Sequence, residues 1–356
     1  MDGMYKNIQT TSFSISVVFA GIVIAQNPSA ANWTESIKIT SVTPNQVDST
    51  DALTTFQTWN QATSNLPGHD HAMLFTRYDL TSNGSTTNAG LAYRGAICTS
   101  SSQSIVEDGF SFIIITVASH ELGHSLGAWH DGQGNACNVS DAYIMAPSSG
   151  PEQNPSTATH PWIFSTCSTT YFTNNINSLD TSNTNCMKSM SSGFDPTALS
   201  PYDLNKAGLL YTADQQCALT RGTGSYFCLH HYSGIFSTLC TMMWCSDVTG
   251  NGTCYGEIAG DGTLCGNKKW CRSGVCTYDA NAPSGDENCL YGDQKGKVFS
   301  NGWTCADMIR LGPHNCAAVP TECCASCAPS TTTSTTMSTT TSLTTQSTTT
   351  TTRAPA

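Results

Sequence analysis

The sequence predicts a mixed α/β domain followed by small disulfide-rich modules. Two segments predict the α/β domain. Residues 13–25 are rich in β-branched side chains, as strands are, and residues 110–118 are apolar nearly all round, as a buried helix is. The cysteines predict the modules, because 14 of the 18 follow residue 216 at short intervals. A chain of 356 residues is long enough for two or three domains.

The first predicted element is a buried strand at residues 13–25. The segment is too short to cross a membrane as a helix. The residues before it, Met1–Ser12, are polar with a single lysine, unlike the basic start of a signal peptide. The valines and isoleucines of the segment suit the pleated surface of a strand. We therefore expect this segment inside the domain.

The most informative element is the run HELGHSLGAWHD, which predicts a zinc site with its own general base. On a helix, His120 and His124 lie one turn apart on the same face, so both imidazoles can reach one Zn²⁺. Gly127 is where the helix should stop, so that the chain turns back and His130 becomes the third ligand. Glu121 can polarise a zinc-bound water. Three protein ligands leave a position open, as in catalytic sites.

This signal is specific because the longer pattern H-E-x-x-H-x-x-G-x-x-H is complete. The alternative is a buried helix whose histidines are satisfied by neighbouring groups. The preceding residues, Phe110–Ala118, fit a helix packed on both sides. The β-branched run within them has middling helix propensity, so tertiary packing must hold the helix.

The pattern resembles that of the metzincin metallopeptidases, which place a methionine turn below the zinc. Met145, in the run YIMAP, lies 15 residues after His130 and is the candidate for that turn. Its thioether is expected to pack under the site, not to bind the metal. Asp131, directly after the third histidine, resembles the adamalysin (reprolysin) branch of these enzymes.

Further segments carry the same resemblance, which covers nearly all of residues 4–195. Asp70–Thr76 resembles the central strand of adamalysin domains and Gly90–Cys98 their edge strand at the rim of the cleft. The remaining matches are Ser104–Asp108, His160–Trp162, Ser165–Ser168 and Asn185–Cys186. The resemblance implies a metzincin fold, with a mixed, mostly parallel twisted sheet and an active-site helix. It also implies the disulfides Cys98–Cys186 and Cys137–Cys167, and a calcium ion near Asp70.

The resemblance also bears on the start of the chain. In adamalysins a strand like residues 13–25 follows the first helix, and Met4–Asn7 resembles the end of that helix. We therefore expect the domain at 1–195 to be truncated, with the signal peptide, the propeptide and the first strand missing from this sequence.

Composition narrows the compartment and the partners. The net charge of −11 and the absence of any Lys/Arg run argue against a nucleic-acid partner. The cysteines fall into even groups of four, eight and six, which predicts closed disulfide modules in a secreted, extracellular protein. Four N-glycosylation sequons give weaker support, at Asn32, Asn83, Asn138 and Asn251.

Downstream of the first domain we expect a linker at 196–210 and then a cysteine-rich module at 211–276. The runs DGTLCG and WCRSGVC in that module resemble the cysteine-rich (disintegrin-like) segment of ADAMTS proteins. Its expected role is a substrate-binding exosite or a rigid spacer. A six-cysteine module is expected at 286–328, and residues 329–356, almost all Thr and Ser, are typical of a mucin-like tail.

The expected function is that of a secreted zinc endopeptidase acting on extracellular proteins, and family resemblance suggests matrix proteins. No membrane span is expected, and the sequence leaves the oligomeric state open. Two alternatives remain open: a catalytically silent secreted binding or matrix protein, and an adhesive or venom-like protein whose disulfide modules carry the function.

Overall fold

The computed structural model describes residues 1–8, 10, 12–190, 194–195, 197–198, 200, 205–249 and 252–328. The predicted tail at 329–356 lies outside the described residues, as do Asn251 and parts of the predicted linker. None of the helices in the described part has the length and apolar character that a membrane span needs.

The first domain contains five helices and five strands among its described residues. The helices are α1 (Asp2–Lys6), α2 (Asn32–Glu35), α3 (Ser49–Ala62), α4 (Ile114–Ser125) and α5 (Thr166–Thr181). The strands are β1 (Gln46–Asp48), β2 (Ala72–Thr76), β3 (Asp79–Thr81), β4 (Gly90–Ala92) and β5 (Gln103–Glu107). Side-chain caps fix the start of two helices. Asp48 accepts from the first-turn N–H groups of α3, and Ser165 accepts from the N–H of Ser168 in α5.

A mixed sheet with helices on both faces forms the centre of this domain, which confirms the predicted α/β class. β2 and β5 are parallel, and β4 pairs with β5 in the antiparallel sense. Ile105 of β5 packs with α3, and its neighbour Val106 packs with Val117 and Ala118 of α4. Successive side chains of a strand point to opposite faces, so one strand supports a helix on each side. β1 and β3 form a separate parallel pair.

The assignment of Asp70–Thr76 to the central strand is wrong for the described sheet, whose order is β2-β5-β4. β5 is central, and four of its five residues are buried. β2 lies at one edge, with Phe75 49 % exposed. The predicted rim strand does lie at an edge, but it covers only Gly90–Ala92.

The prediction of a buried strand at residues 13–25 is also wrong. Phe13, Ile15 and Val17 pack against the core on alternate positions, but the segment belongs to no sheet. From Val18 onward it is exposed, and Ile22 and Ile24 are 71 % and 70 % exposed. At Gly21 the chain runs against Pro67, which has no N–H to offer a neighbouring strand.

Helix α4 begins later than the apolar run suggested. Phe110, with φ of 57°, and Phe112 precede the first helical residue, Ile114. The hydroxyl of Ser111 accepts from the Ile113 N–H, and the Ser111 carbonyl accepts from the Ile114 N–H. Serine competes for backbone hydrogen bonds and so favours a helix start over its interior.

Two small modules follow. The first has helices α6 (Ala207–Leu210) and α7 (Ala213–Arg221), and strands β6 (Met243–Ser246), β7 (Cys254–Glu257), β8 (Leu264–Gly266), β9 (Lys269–Arg272) and β10 (Val275–Tyr278). The second has helices α8 (Cys305–Leu311) and α9 (Cys324–Cys327). Disulfides close each module on itself. The pairs are Cys217–Cys245, Cys228–Cys254, Cys240–Cys271 and Cys265–Cys276 in the first, and Cys289–Cys324, Cys305–Cys323 and Cys316–Cys327 in the second.

The first module packs directly against the first domain. Ile258, directly after β7, is 2 % exposed and lies within the same apolar cluster as Tyr5 and Trp162. Gly274, in the turn between β9 and β10, lies against the indole of Trp162, so closely that a Cβ would come within 2.5 Å of the ring. The second module packs onto the first through Tyr291, whose ring lies 4.9 Å from that of Phe227.

Candidate functional site

Two histidines of α4 are held in a fixed orientation by backbone carbonyls. His120 Nδ1 lies 2.7 Å from the Ile144 carbonyl, and His124 Nδ1 lies 2.8 Å from the Ala128 carbonyl. A carbonyl can only accept, so each Nδ1 carries the proton and each Nε2 offers its lone pair. Metal-binding histidines are oriented in this way by their outer contacts.

The helix ends at a glycine that turns the chain back toward these histidines. Gly127 has φ of 105°, its N–H donates to the His124 carbonyl, and the Ala128 N–H donates to the Gly123 carbonyl. These two bonds form a Schellman motif, which requires a left-handed residue at this position. The turn brings His130 to the end of α4, where the sequence predicted it.

The three Nε2 atoms converge on one point. His130 Nε2 lies 3.2 Å from that of His120 and 3.1 Å from that of His124. A tetrahedral zinc ion with Zn–N bonds of about 2.0–2.1 Å holds its nitrogens about 3.3–3.4 Å apart. Two of these nitrogens present lone pairs, which repel at this distance unless a cation lies between them. The three histidines therefore fit a zinc ion, and they form a group that can hold a metal.

Burial keeps the histidines in the form that binds metal. It lowers the pKa of His120 to about 3 and that of His124 to about 4, and it also lowers the pKa of His130. Removing an imidazole from water disfavours its charged form. All three rings therefore stay neutral near pH 7, with their lone pairs free for coordination.

Glu121 lies beside this point with one oxygen free. The residue is 4 % exposed, and its Oε2 has no hydrogen-bond partner among the described residues. Burial raises the pKa of the carboxyl to about 8. β4 passes very close to it, since a Cβ on Gly90 would lie 2.6 Å from Glu121 Oε1. Only a glycine at position 90 allows the edge strand and the carboxylate to meet.

Met145 lies beneath the histidines and is fully buried. Its sulfur packs on the back of α4 at Gly123, where a Cβ would lie 2.6 Å from Sδ. The turn is tied to the chain by the Ala146 N–H, which donates to the Tyr143 carbonyl, and by the Ile144 N–H, which donates to the Ile163 carbonyl. The sulfur is a packing group in this position.

Asp131 ties the third histidine to this turn and to α5. Its N–H donates to the Met145 carbonyl, and its Oδ1 accepts from the Ser165 hydroxyl at 2.7 Å. Burial raises the pKa of Asp131, which is 1 % exposed. The disulfide Cys137–Cys167 joins the loop after His130 to the first turn of α5, and Cys98–Cys186 closes the other side of the domain. The anchoring role of Ser165 could not be read from the sequence, which marked this residue only as part of the family pattern.

One pair of residues at the site was missed by the sequence interpretation. The guanidinium of Arg94 lies 3.9 Å from the centre of the Trp129 ring, and its Nη1 donates to the Gly127 carbonyl at 3.3 Å. Trp129 directly precedes the third histidine. Only the position of Arg94 within the predicted rim strand Gly90–Cys98 hinted at a contact with the site.

Asp70 is exposed and lies two residues before β2. Desolvation raises the pKa of its carboxyl. Within the part of the chain that the structure describes, it belongs to no group of three metal-binding side chains.

Comparison with known proteins identifies two matched segments. Residues 4–190 match the family described as reprolysin (M12B) zinc metalloproteases, and residues 207–277 match the family described as ADAMTS cysteine-rich domain 2.

The curated relatives agree with both matches. The chain is 35 % identical over 257 residues to human "A disintegrin and metalloproteinase with thrombospondin motifs 7". The aligned segment covers 68 % of this chain and 13 % of that protein. It is 28 % identical over 257 residues to the mouse protein with thrombospondin motifs 16, covering 71 % of this chain and 19 % of the relative. The chain thus spans less than a fifth of the length of these relatives.

Proposed function

The chain belongs to the reprolysin (M12B) family of zinc metalloproteases, and from that premise we propose that it is a secreted zinc-dependent endopeptidase. One observation carries the proposal: His130 Nε2 lies within 3.2 Å of the Nε2 atoms of both His120 and His124, beside a buried Glu121 carboxyl with a free oxygen. Three such histidines can hold a metal ion. The carboxyl of Glu121 beside them keeps one oxygen without a hydrogen-bond partner among the described residues, so it is available as a base.

His120, His124 and His130 would hold the zinc ion. When bound, zinc supplies Lewis acidity for the scissile carbonyl and lowers the pKa of a water molecule. The charge of a zinc ion beside it would hold the Glu121 carboxyl ionised against the effect of burial. Its Oε2 would then accept a proton from water and deliver it to the nitrogen of the leaving amine as the peptide bond breaks. Asp131 and Met145 position the third histidine from behind and below.

The edge strand β4 provides the surface for an extended substrate. Among the described strands its one partner is β5, so the opposite edge of Gly90–Ala92 is open to a further strand. An extended peptide can add to such an edge through main-chain hydrogen bonds. The contact between Gly90 and Glu121 then brings the scissile bond of that peptide next to the base.

The test is the replacement Glu121→Gln in the full chain. The amide keeps the shape of the carboxyl but cannot accept the proton, so cleavage of casein should fall by at least about a hundredfold. Zinc content, measured by elemental analysis, should stay at one ion per chain. Glu287→Gln, an exposed glutamate of the second module, is the control and should keep full activity.

Retained cleavage in the Glu121→Gln chain would refute the role of the base. Native protein that cleaves nothing while holding zinc would favour the catalytically silent alternative. Phenanthroline, a zinc chelator, should block the native activity reversibly.

Secretion and extracellular substrates belong to the same proposal. All 18 cysteines are paired in the structure, which suits an oxidising compartment. The division into a catalytic domain, a cysteine-rich module and a six-cysteine module also stays a proposal, with matrix proteins as the expected substrates.

A calcium ion at Asp70 is a separate and less supported proposal. It predicts that a calcium-selective chelator lowers the thermal unfolding temperature of the native chain and not that of Asp70→Asn. If the chelator shifts neither protein, the calcium site is not present.

A further inference from the structure

We propose that Arg94, fixed on the face of Trp129, is a substrate-binding group that selects a carboxylate side chain a few residues from the scissile bond. The inference rests on the proposed function, since it names a substrate class for the same cleft. It begins from an exposed cation that is held against an exposed aromatic ring next to the third histidine.

The first step is the position of the pair. The Gly95 N–H donates to the His124 carbonyl at 2.8 Å, so the backbone beside Arg94 is fixed against the second histidine. Trp129 directly precedes the third histidine. The guanidinium therefore lies between the ends of two ligand-bearing segments, where β4 leaves the cleft.

The second step is that the guanidinium is held in place but not neutralised. It is fixed by the Trp129 ring and by the Gly127 carbonyl. No carboxylate among the described residues lies within ion-pair distance of it. A guanidinium has five N–H donors, and one of them has a hydrogen-bond acceptor among the residues that the structure describes.

The third step is exposure. Arg94 is an exposed residue, and Trp129 is 39 % exposed. Leaving an indole face in water costs free energy, and here the guanidinium of Arg94 covers part of the Trp129 face. The stack also restricts the rotamers of Arg94, which lowers the entropy cost when a ligand binds.

The fourth step is the choice of ligand. The planar fork of a guanidinium matches a carboxylate in geometry and charge. The free edge of β4 places an extended peptide directly beside Arg94. The ligand is therefore a Glu or Asp side chain of that peptide. It occupies one fixed position, on the side of the scissile bond that lies nearer the carboxyl end of β4.

The experiment uses the full chain and a set of fluorogenic peptides with one cleavage sequence. Glu is compared with Gln at each of four positions on either side of the scissile bond. The native protein should cleave one Glu peptide about five to ten times faster, in kcat/KM, than its Gln partner. Arg94→Gln should remove this preference, so that the Glu and Gln peptides are cleaved at equal rates, and Arg94→Glu should favour Lys at the same position.

Arg77→Gln is the matched control. Arg77 is also exposed and stacks on an aromatic ring, with its guanidinium 3.8 Å from the centre of Phe110, but it lies at the opposite end of α4. Its loss should leave the preference for Glu unchanged. Trp129→Leu, which keeps the charge but removes the ring, should weaken the preference, and raised salt should weaken it in the native protein.

The inference is overturned if the native protein cleaves the Glu and Gln peptides equally at every position, or if Arg94→Gln keeps the preference. If Glu121→Gln abolishes cleavage but the native chain shows no preference for Glu, this inference alone is overturned. Native protein that cleaves none of the peptides, or cleavage that persists in Glu121→Gln, contradicts the proposed function as well.

Discussion

Two residues without functional groups control how closely the parts of the site approach one another. Gly90 allows the edge strand to touch Glu121, and Gly123 allows Met145 to lie against the back of the helix. In the sequence pattern, the second glycine occupies a variable position between the histidines and the first begins the predicted rim strand. Both act through the Cβ that they lack.

The replacement Gly90→Ala tests the first of these contacts. The new Cβ would lie 2.6 Å from Glu121 Oε1, so the base or the strand must shift. We expect kcat/KM to fall by about a hundredfold, since a misplacement of about 1 Å in a catalytic group has that effect. Gly109→Ala is the control, because a Cβ there meets nothing within 4 Å. Equal activity of the two variants would show that Glu121 does not depend on this approach.

A second residue-scale prediction concerns His71, which directly precedes β2 and is not one of the three clustered histidines. Its ring nitrogens lie 3.1 and 2.8 Å from the hydroxyls of Ser102 and Ser104, and burial lowers its pKa to about 3. In the unfolded chain the ring takes up a proton near its usual pKa of 6.5. Between pH 6.5 and 3 the unfolded state therefore binds the extra proton, so stability falls as the pH falls.

His71 should contribute at most ~1.4 kcal/mol per pH unit to the pH dependence of the free energy of unfolding. Urea unfolding of the native chain and of His71→Asn at pH 7, 5.5 and 4.5 measures it. The variant should lose stability less steeply as the pH falls. Identical slopes would mean that His71 is protonated in the folded protein.

At the scale of elements, the contact between the β9–β10 turn and Trp162 links the cysteine-rich module to the wall behind the site. Trp162 precedes Ile163, whose carbonyl holds the turn at Met145. We expect Gly274→Ala to displace the indole and to lower kcat/KM about threefold or more, since a Cβ would lie 2.5 Å from the ring. Gly292→Ala is the matched control, with a similar φ of 70° and open space around it.

The companion replacement Trp162→Leu makes this prediction sharper. If the loss comes from the contact, the double variant should be less impaired than the sum of the single ones in a double-mutant cycle. Additive losses would assign the effect to backbone strain at position 274 alone.

The elements differ in how far the sequence predicted them. The end of α4 and the return of His130 were predictable, because helix periodicity and a glycine cap are local rules that act within a few residues. The strand at 13–25 was not, because strand formation needs a neighbour with free backbone groups and the chain meets Pro67 instead. The contacts of Arg94 and Ser165 were also hidden, since side chains 34 or 35 residues apart leave no periodic signal.

At the scale of the whole molecule, the first domain and the cysteine-rich module share buried surface. Ile258 lies in the cluster that also contains Tyr5 and Trp162. A chain ending at residue 190 would expose that cluster and lose about 1.5–3 kcal/mol from this one side chain. We expect it to unfold at a lower temperature than a chain of residues 1–277, measured by calorimetry. Equal unfolding temperatures would show that the module contributes no stability to the first domain.

The extended residues after Val17 have a consequence of a different kind. Five apolar side chains between Val18 and Ile24 are largely exposed on backbone that belongs to no sheet. Exposed, uncharged segments of high β-propensity pair readily with copies of themselves. We therefore expect the purified chain to form fibrous aggregates on storage, and we expect the aggregation to begin in this segment. The replacement Ile22→Lys should slow this aggregation and leave the metal site unchanged.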